Sequence, residues 1–374
     1  MALRDDIDPR GLEEFSVVFT DRSLNHMSAA FQEVMRGISE GLREVYGADA
    51  VALVPGGGSF GMEAVARQFG QSARAVVVRN GWFSFRWSQI FEAGGFGGEV
   101  TVMKARQAGN ALDAPFAPAP IEEVVAAIRE HQPKIVFAPH VETSSGIILS
   151  DDYIRALSDA AHDVGALMVL DCIASGCIWV DMKATGVDVL ISAPQKGWSA
   201  TPCAGLVMMS GRAVARLDET RSDSFALDLA KWRQIMAAYE AGGHAYHATM
   251  PTDGLRGFFR AMEETRAFGF EAAREAQWEL GRKVRALLAA RGVKSVAAEG
   301  VGAPGVVVSY TTDPEVQSGR AFLARGAQIA AGVPLQCDEP AGFSTFRLGL
   351  FGLDKLKDVD GTVARLERAL GDVL

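Results

Sequence analysis

A chain of 374 residues is longer than one ordinary domain, and at roughly 100–200 residues per domain it has room for two. Hydrophobic residues make up 48%, charged residues 22%, and there are 40 glycines, a composition that excludes a disordered or fibrous chain. The formal net charge is −9 with no clustered Lys/Arg tract, which argues against nucleic-acid or anionic-membrane partners, since either requires a concentrated basic surface.

Residues 1–27 read as an N-terminal arm. Its opening, MALRDDIDPRGLEEF, lacks the apolar core of a signal peptide, and no apolar run of about 18 residues occurs anywhere. The expectation is a cytoplasmic protein. Cys172, Cys177, Cys203 and Cys337 form neither a CxxC pair nor a metal-ligand spacing with the histidines, so neither disulfides nor a metal is expected. Cys337 reads as an inert small residue in a C-terminal loop, a nucleophilic thiol being the alternative.

From Ser28 the pattern alternates between strand and helical periodicity, the signature of βα units feeding a mostly parallel sheet. The predicted strands are Ala50–Val54, Ala75–Arg79, Glu99–Met103, Ile135–Ala138, Leu167–Asp171, Val187–Ser192 and Gly205–Met209. Ile121–His131 and Asp151–Val164 have helical length and amphipathic spacing, the second opening on a Ser-Asp-Asp cap. APFAPAP, between Ala114 and Pro120, reads as a surface loop. The expected class is therefore α/β, with a seven-stranded, mostly parallel sheet in a large domain over 28–252. Near Pro251–Gly254 the character changes. One long helical pattern from Leu255 to about Arg291 leads to a strand at Val306–Tyr310, a helix near Glu315–Arg325, a strand at Phe346–Leu350 and a last helix. This is a smaller α+β domain over 253–374.

In an open parallel sheet, ligands bind at the carboxyl ends of the strands, so residues just after each predicted strand carry the chemistry. PGGGSFGMEA follows the first strand, and Gly56, Gly58 and Gly61 satisfy G-x-G-x-x-G literally. A dinucleotide site would need an acidic residue about 20 positions on, for a ribose. No Asp or Glu lies between Glu63 and Glu92, and no Lys-Ser/Thr follows the glycines. What remains is a helix opening at Ser59, Phe60 and Gly61 whose free N–H groups suit a phosphate, or a glycine turn that merely packs. Asp171 ends an apolar strand, where a carboxylate is costly without a cation, unless it caps a turn. Lys196 follows another apolar strand in SAPQKGWSATPCAG; alone it would be an exposed lysine. Together with an anion cradle upstream, the acid and the lysine are what pyridoxal 5'-phosphate requires: an amine to join it, a carboxyl for its pyridine nitrogen and a phosphate cup. HVETSSG adds hydroxyls at Thr143, Ser144 and Ser145. His140 reads as a structural histidine.

The ordered segments NGWFSFRW, HVETSSG, DCIAS, SAPQKGW, YHATMP and RLGLFG resemble those of the class V aminotransferases, which have the fold type I architecture of pyridoxal-phosphate transferases, and within them the alanine–glyoxylate / serine–pyruvate aminotransferase family. The resemblance implies that Lys196 forms the Schiff base with the cofactor, with Gln195 its cofactor-contacting neighbour. It assigns Asp171 to the pyridine nitrogen, Thr143 to the ring oxygen or phosphate, and Ser59, Phe60 and Gly61 to the phosphate cup. Phe83, rather than Trp82, takes the place of the stacking aromatic. Tyr246 and Thr249 would reach a partner subunit's phosphate, implying a homodimer with composite active sites. Arg347 would grip the substrate carboxylate by a two-point contact, with Arg22 or Arg86 next in line. The expected reaction is ping-pong transamination of an amino acid or small amine with a keto acid such as glyoxylate or pyruvate. The family's early P-G-P turn is absent, and His26-Met27-Ser28 stands where an H-R-S motif is usual, which leaves the amino donor open. The rival readings are a lyase or desulfurase on the same scaffold and a nucleotide-binding protein using Gly56–Gly61.

Overall fold

The computed structural model describes residues 4–371 and 373–374; the first three residues of the predicted arm and residue 372 of the predicted small domain lie outside the described residues. Seven strands make the main sheet: β1 (Ala50–Pro55), β2 (Ala75–Arg79), β3 (Val100–Lys104), β4 (Ile135–Pro139), β5 (Leu167–Asp171), β6 (Val189–Ser192) and β7 (Ala204–Met209). Their order is β1-β7-β6-β5-β4-β2-β3. Only β7 runs antiparallel, to both β6 and β1, so the other six strands point their carboxyl ends at one edge. Every residue of β2, β4, β5, β6 and β7 is buried, because helices cover both faces of the sheet.

The helices follow their sequence signals. α1 (Ala29–Tyr46) begins at Ser28, whose hydroxyl accepts the Phe31 N–H at 3.1 Å, and ends on Gly47 at φ 68°. Its buried Phe31, Val34, Met35, Ile38 and Leu42 repeat with the helical period. α2 (Gly58–Phe69), α3 (Trp82–Gly94), α4 (Ile121–His131) and α5 (Asp151–Asp163, capped by Ser150) follow β1, β2, β3 and β4 respectively.

Several expectations are corrected. β3 begins one residue later than predicted, at Val100, because its parallel register sets Val100 against Ala75 and Lys104 against Arg79. β6 is two residues shorter at its start. The pattern from Leu255 to Arg291 is two helices, Thr252–Phe268 and Phe270–Ala289, broken at Gly269, whose φ of 100° no helix admits. Glu315–Arg325 likewise divides at Gly319 (φ 81°) into Pro314–Gln317 and Arg320–Leu323. Ala114–Pro120 is not simply a surface loop: Phe116 is 1% exposed, pairs with Gln107 and donates its N–H to Val296 O. Helices at Gly211–Glu219 and Leu229–Glu240 had no counterpart among the predicted elements.

A second sheet holds β8 (Val306–Tyr310), β9 (Ala330–Ala331) and β10 (Thr345–Gly349), with β10 central; β10 begins and ends one residue before its predicted span. Side chains alternate across it. Phe346 and Leu348 enter the core formed with the helix Phe270–Ala289, while Arg347 between them pairs with Val308, on the face whose core includes Val141 and Cys337. Leu255, Phe258 and Met262 pack into the core of the large sheet. The helix after Pro251 therefore packs with that sheet.

Candidate active site

The carboxyl ends of β4, β5 and β6 stand side by side, and the turns leaving them carry most of the predicted site. Asp171 closes β5. It is 6% exposed, its Oδ1 accepts the Ile173 N–H at 2.9 Å, and no basic group lies within ion-pair distance among the described residues. Burial pushes its pKa up to about 7, and the charge of Glu142 pushes the same way, against the Ile173 N–H, Arg86 and Lys196. On the turn after β6, Lys196 is half-buried, with Nζ 5.4 Å from the centre of the Phe351 ring. Its pKa is lowered, first by burial and then by the Arg347 and Arg86 charges. Burial thus disfavours the charged form of both groups. Gln195, beside it, is exposed.

The turn after β2 begins α3. The Phe83 ring carries two guanidiniums, Arg86 at 4.7 Å and Arg347 at 5.6 Å from its centre, whereas Trp82 contacts Phe85. Arg347 donates Nε to Ala331 O at 2.8 Å and has no carboxylate within ion-pair distance among the described residues. Burial lowers its pKa. Of the two substitutes considered for it, Arg22 is exposed in the arm, and Arg86 stands in the site with Nη1 3.0 Å from Ser59 Oγ.

At the start of α2 the expected cup is corrected in part. Phe60 and Gly61 both donate their N–H groups to Gly57 O, at 2.9 and 3.2 Å, so neither is free for a phosphate. Among the described residues, the amides of Gly57, Gly58 and Ser59 have no partner. Gly61 instead lets α2 rest on β7: a Cβ there would stand 3.3 Å from Gly205 Cα.

Thr143 is buried, and Ser145 Oγ beside it is buried with no partner among the described residues. Ser144 is engaged elsewhere, accepting the Trp82 N–H at 2.8 Å. His140 is buried with Nδ1 2.7 Å from Ser175 Oγ, and desolvation takes its pKa down to about 3; it is a neutral structural group. Tyr246 and Thr249 are exposed and share a hydrogen bond of 3.1 Å. Within one chain Thr249 lines a cavity of about 470 Å³ with Ser59, Phe60 and Glu63. Cys337 is 4% exposed, hydrogen-bonds Arg79 O at 3.4 Å, and has its pKa pushed up to about 12 by burial. Ser28 of the early motif is the α1 cap, and His26 is buried against Phe19 and Tyr246.

Glu142 went without a role in the sequence. It is fully buried and receives the start of α3. The only signal for it was its place in HVETSSG, directly before the hydroxyls.

The model of the aminotransferase class-V family matches residues 14–342. The chain belongs to that family. It is an enzyme, a class V aminotransferase. Among relatives it is 26% identical over 354 residues to a protein of Synechococcus sp. named soluble hydrogenase, small subunit, covering 94% of this chain and 88% of that one. It is 26% identical over 338 residues to alanine–glyoxylate aminotransferase 1 of Saccharomyces cerevisiae, covering 83% and 82%. The crystal structure of an alanine–glyoxylate aminotransferase from Nostoc sp. superposes with a TM-score of 0.76 at 22% identity, over 92% of this chain and 88% of that one. The shared architecture is the fold type I of pyridoxal-phosphate transferases. No helix among the described residues of this aminotransferase is long and apolar enough to cross a membrane.

Proposed function

We propose that this aminotransferase moves the amino group of an amino acid or small amine to a keto acid such as glyoxylate or pyruvate, by a ping-pong route, on pyridoxal 5'-phosphate held at the ends of β4, β5 and β6. One observation carries the proposal: a buried carboxyl and a half-buried amine, Asp171 and Lys196, stand at adjacent strand ends, each without an ion-pair partner among the described residues. Such groups are costly unless a ligand completes them. The remaining unmatched groups fit the same molecule, with three free amides at Gly57–Ser59 for a phosphate and the hydroxyls of Thr143 and Ser145 for its ring edge.

Bound there, the cofactor supplies the carbonyl on which amino groups are exchanged and the ring that takes up electrons. Asp171 keeps a proton at the pyridine nitrogen. Lys196 Nζ would be the covalent anchor of the cofactor and, as a half-buried amine beside it, would serve as the base and acid that carries the proton of the exchange. Phe83 is the stacking platform, and Gln195 borders the anchor. The two-point fork of Arg347, whose Nη atoms have no partner among the described residues, holds the substrate carboxylate. Tyr246 and Thr249 complete the phosphate site of a second copy, making the active form a homodimer. Four free, buried cysteines suit a reducing cytoplasm. The buried Cys337 thiol, with its raised pKa, does not suit sulfur transfer.

The purified protein should be yellow, and borohydride should fix the cofactor to the peptide that contains Lys196. Amino donors should bleach the visible band, and glyoxylate or pyruvate should restore it. Labelling of another lysine, or turnover that needs no keto acid, refutes the proposal.

A further inference from the structure

We infer that Glu142 is a positioning residue of this site: its carboxylate bolts the helix that carries the Phe83 platform to the turn that carries Thr143, and so sets the platform and the hydroxyl at a fixed spacing around the cofactor. The inference rests on the function proposed above.

The argument begins with the start of α3. Its N-cap is Gly81, which has no side chain to satisfy the first N–H groups of the helix. Glycine is required there by close approach, since a Cβ would stand 2.0 Å from Ser144 Oγ and 2.7 Å from Glu142 Cγ. The cap comes from another segment. Ser144 Oγ accepts the Trp82 N–H at 2.8 Å, Glu142 Oε1 the Phe83 N–H at 3.2 Å, and Glu142 Oε2 the Ser84 N–H at 2.8 Å. The same carboxylate binds its own turn, with Oε1 accepting from Ser144 N at 3.1 Å and Ser144 Oγ at 2.8 Å. Ser84 Oγ lies 2.7 Å from Oε2.

Every group that faces Glu142 in these contacts is a donor, and only a carboxylate is acceptor-only at both oxygens. The negative charge also suits a helix N-terminus. Full burial of a carboxylate, otherwise costly, is offset by this many charge-assisted hydrogen bonds. Glutamine would keep the shape but turn an NH₂ group toward two or more donors. Aspartate would keep the charge but fall one methylene short. The clamp joins residues 58 to 62 apart in the chain, and the two side chains it aligns, Phe83 and Thr143, are its immediate neighbours.

The test compares wild type with Glu142→Gln as complete proteins reconstituted with pyridoxal 5'-phosphate, reading cofactor affinity and the visible circular dichroism of the bound cofactor, which reports its orientation against the platform. Losing charge-assisted bonds at the clamp should weaken cofactor binding roughly ten- to a hundred-fold and change the dichroism, with Lys196 still the residue fixed by borohydride. Glu142→Asp should recover part of the affinity. Wild-type affinity and dichroism in Glu142→Gln overturn the inference. Should Glu142→Gln fail to fold, Glu142→Asp, which keeps the charge but draws the carboxylate back from the Phe83 and Ser84 amides, carries the same expectation with a smaller loss, and unchanged affinity and dichroism in it overturn the inference equally. If wild type itself takes up no cofactor on Lys196, it is the proposed function that fails.

Discussion

At Asp171 a carboxyl group is held among apolar strands with one backbone N–H as its hydrogen-bond partner, and its pKa rises from 3.8 to about 7. The folded protein therefore binds a proton that the unfolded chain has already lost between those values. For the cofactor-free protein, this group's contribution is fully present below about pH 4 and is lost as pH rises through 7. The size is on the order of a few kcal/mol. Asp171→Asn cannot titrate, so the stability difference between the cofactor-free variant and wild type should shift in favour of the variant between pH 5 and pH 7.5. Urea unfolding at the two values measures it; a difference independent of pH contradicts the raised pKa. A cation placed against Asp171 reverses the preference, so reconstituted wild type should show a flatter profile. Arg347 and Lys196 obey the same logic with opposite sign, since burial lowers both pKa values and an anionic substrate would complete the guanidinium.

At the scale of elements, the site depends on how closely α2 approaches the sheet. Gly61 on α2 and Gly205 on β7 meet backbone to backbone, and a Cβ on Gly205 would fall 2.7 Å from Gly61 Cα. Backbone atoms cannot yield as a flexible side chain does, so Gly205→Ala should cost about 1–3 kcal/mol by overpacking. It should also tilt the start of α2 and weaken phosphate binding at the Gly57–Ser59 amides. A thermal melt and a cofactor titration read the two effects; unchanged values in both would show that the helix can move aside freely. Helices whose boundaries rest on local chemistry were legible beforehand. α4 spans Ile121–His131 as expected, and α5 starts at its Ser150 cap. The break at Gly269 was not, because the helical repeat continues in phase on both sides of it and only the backbone angle shows the interruption.

At the scale of the molecule, one chain leaves Tyr246, Thr249 and Phe60 exposed around the phosphate cup, and Leu12, Phe15 and Val17 exposed in the arm. A second copy covering this surface is the arrangement proposed here, with Tyr246 and Thr249 delivered across it. Mixing Lys196→Ala with Tyr246→Ala subunits, each badly impaired alone, should then restore activity, because one site of the mixed dimer has both native groups. A monomer that turns over at the full rate, or no recovery after demonstrated subunit exchange, excludes composite sites.

The sequence by itself determined the α/β class, the strands that carry Asp171 and Lys196, and the family. Burial of whole strands, glycine placement and motif order are local properties, and they survive in a linear pattern. It also marked Arg347 as an arginine inside an apolar strand. Tertiary structure alone decided that Arg86 reaches Ser59 at the start of α2. Only it revealed Glu142, for a buried carboxylate in the chain looks like any other until the donors around it, from a segment some sixty residues away, are brought to hydrogen-bond distance by the packing of β2 against β4.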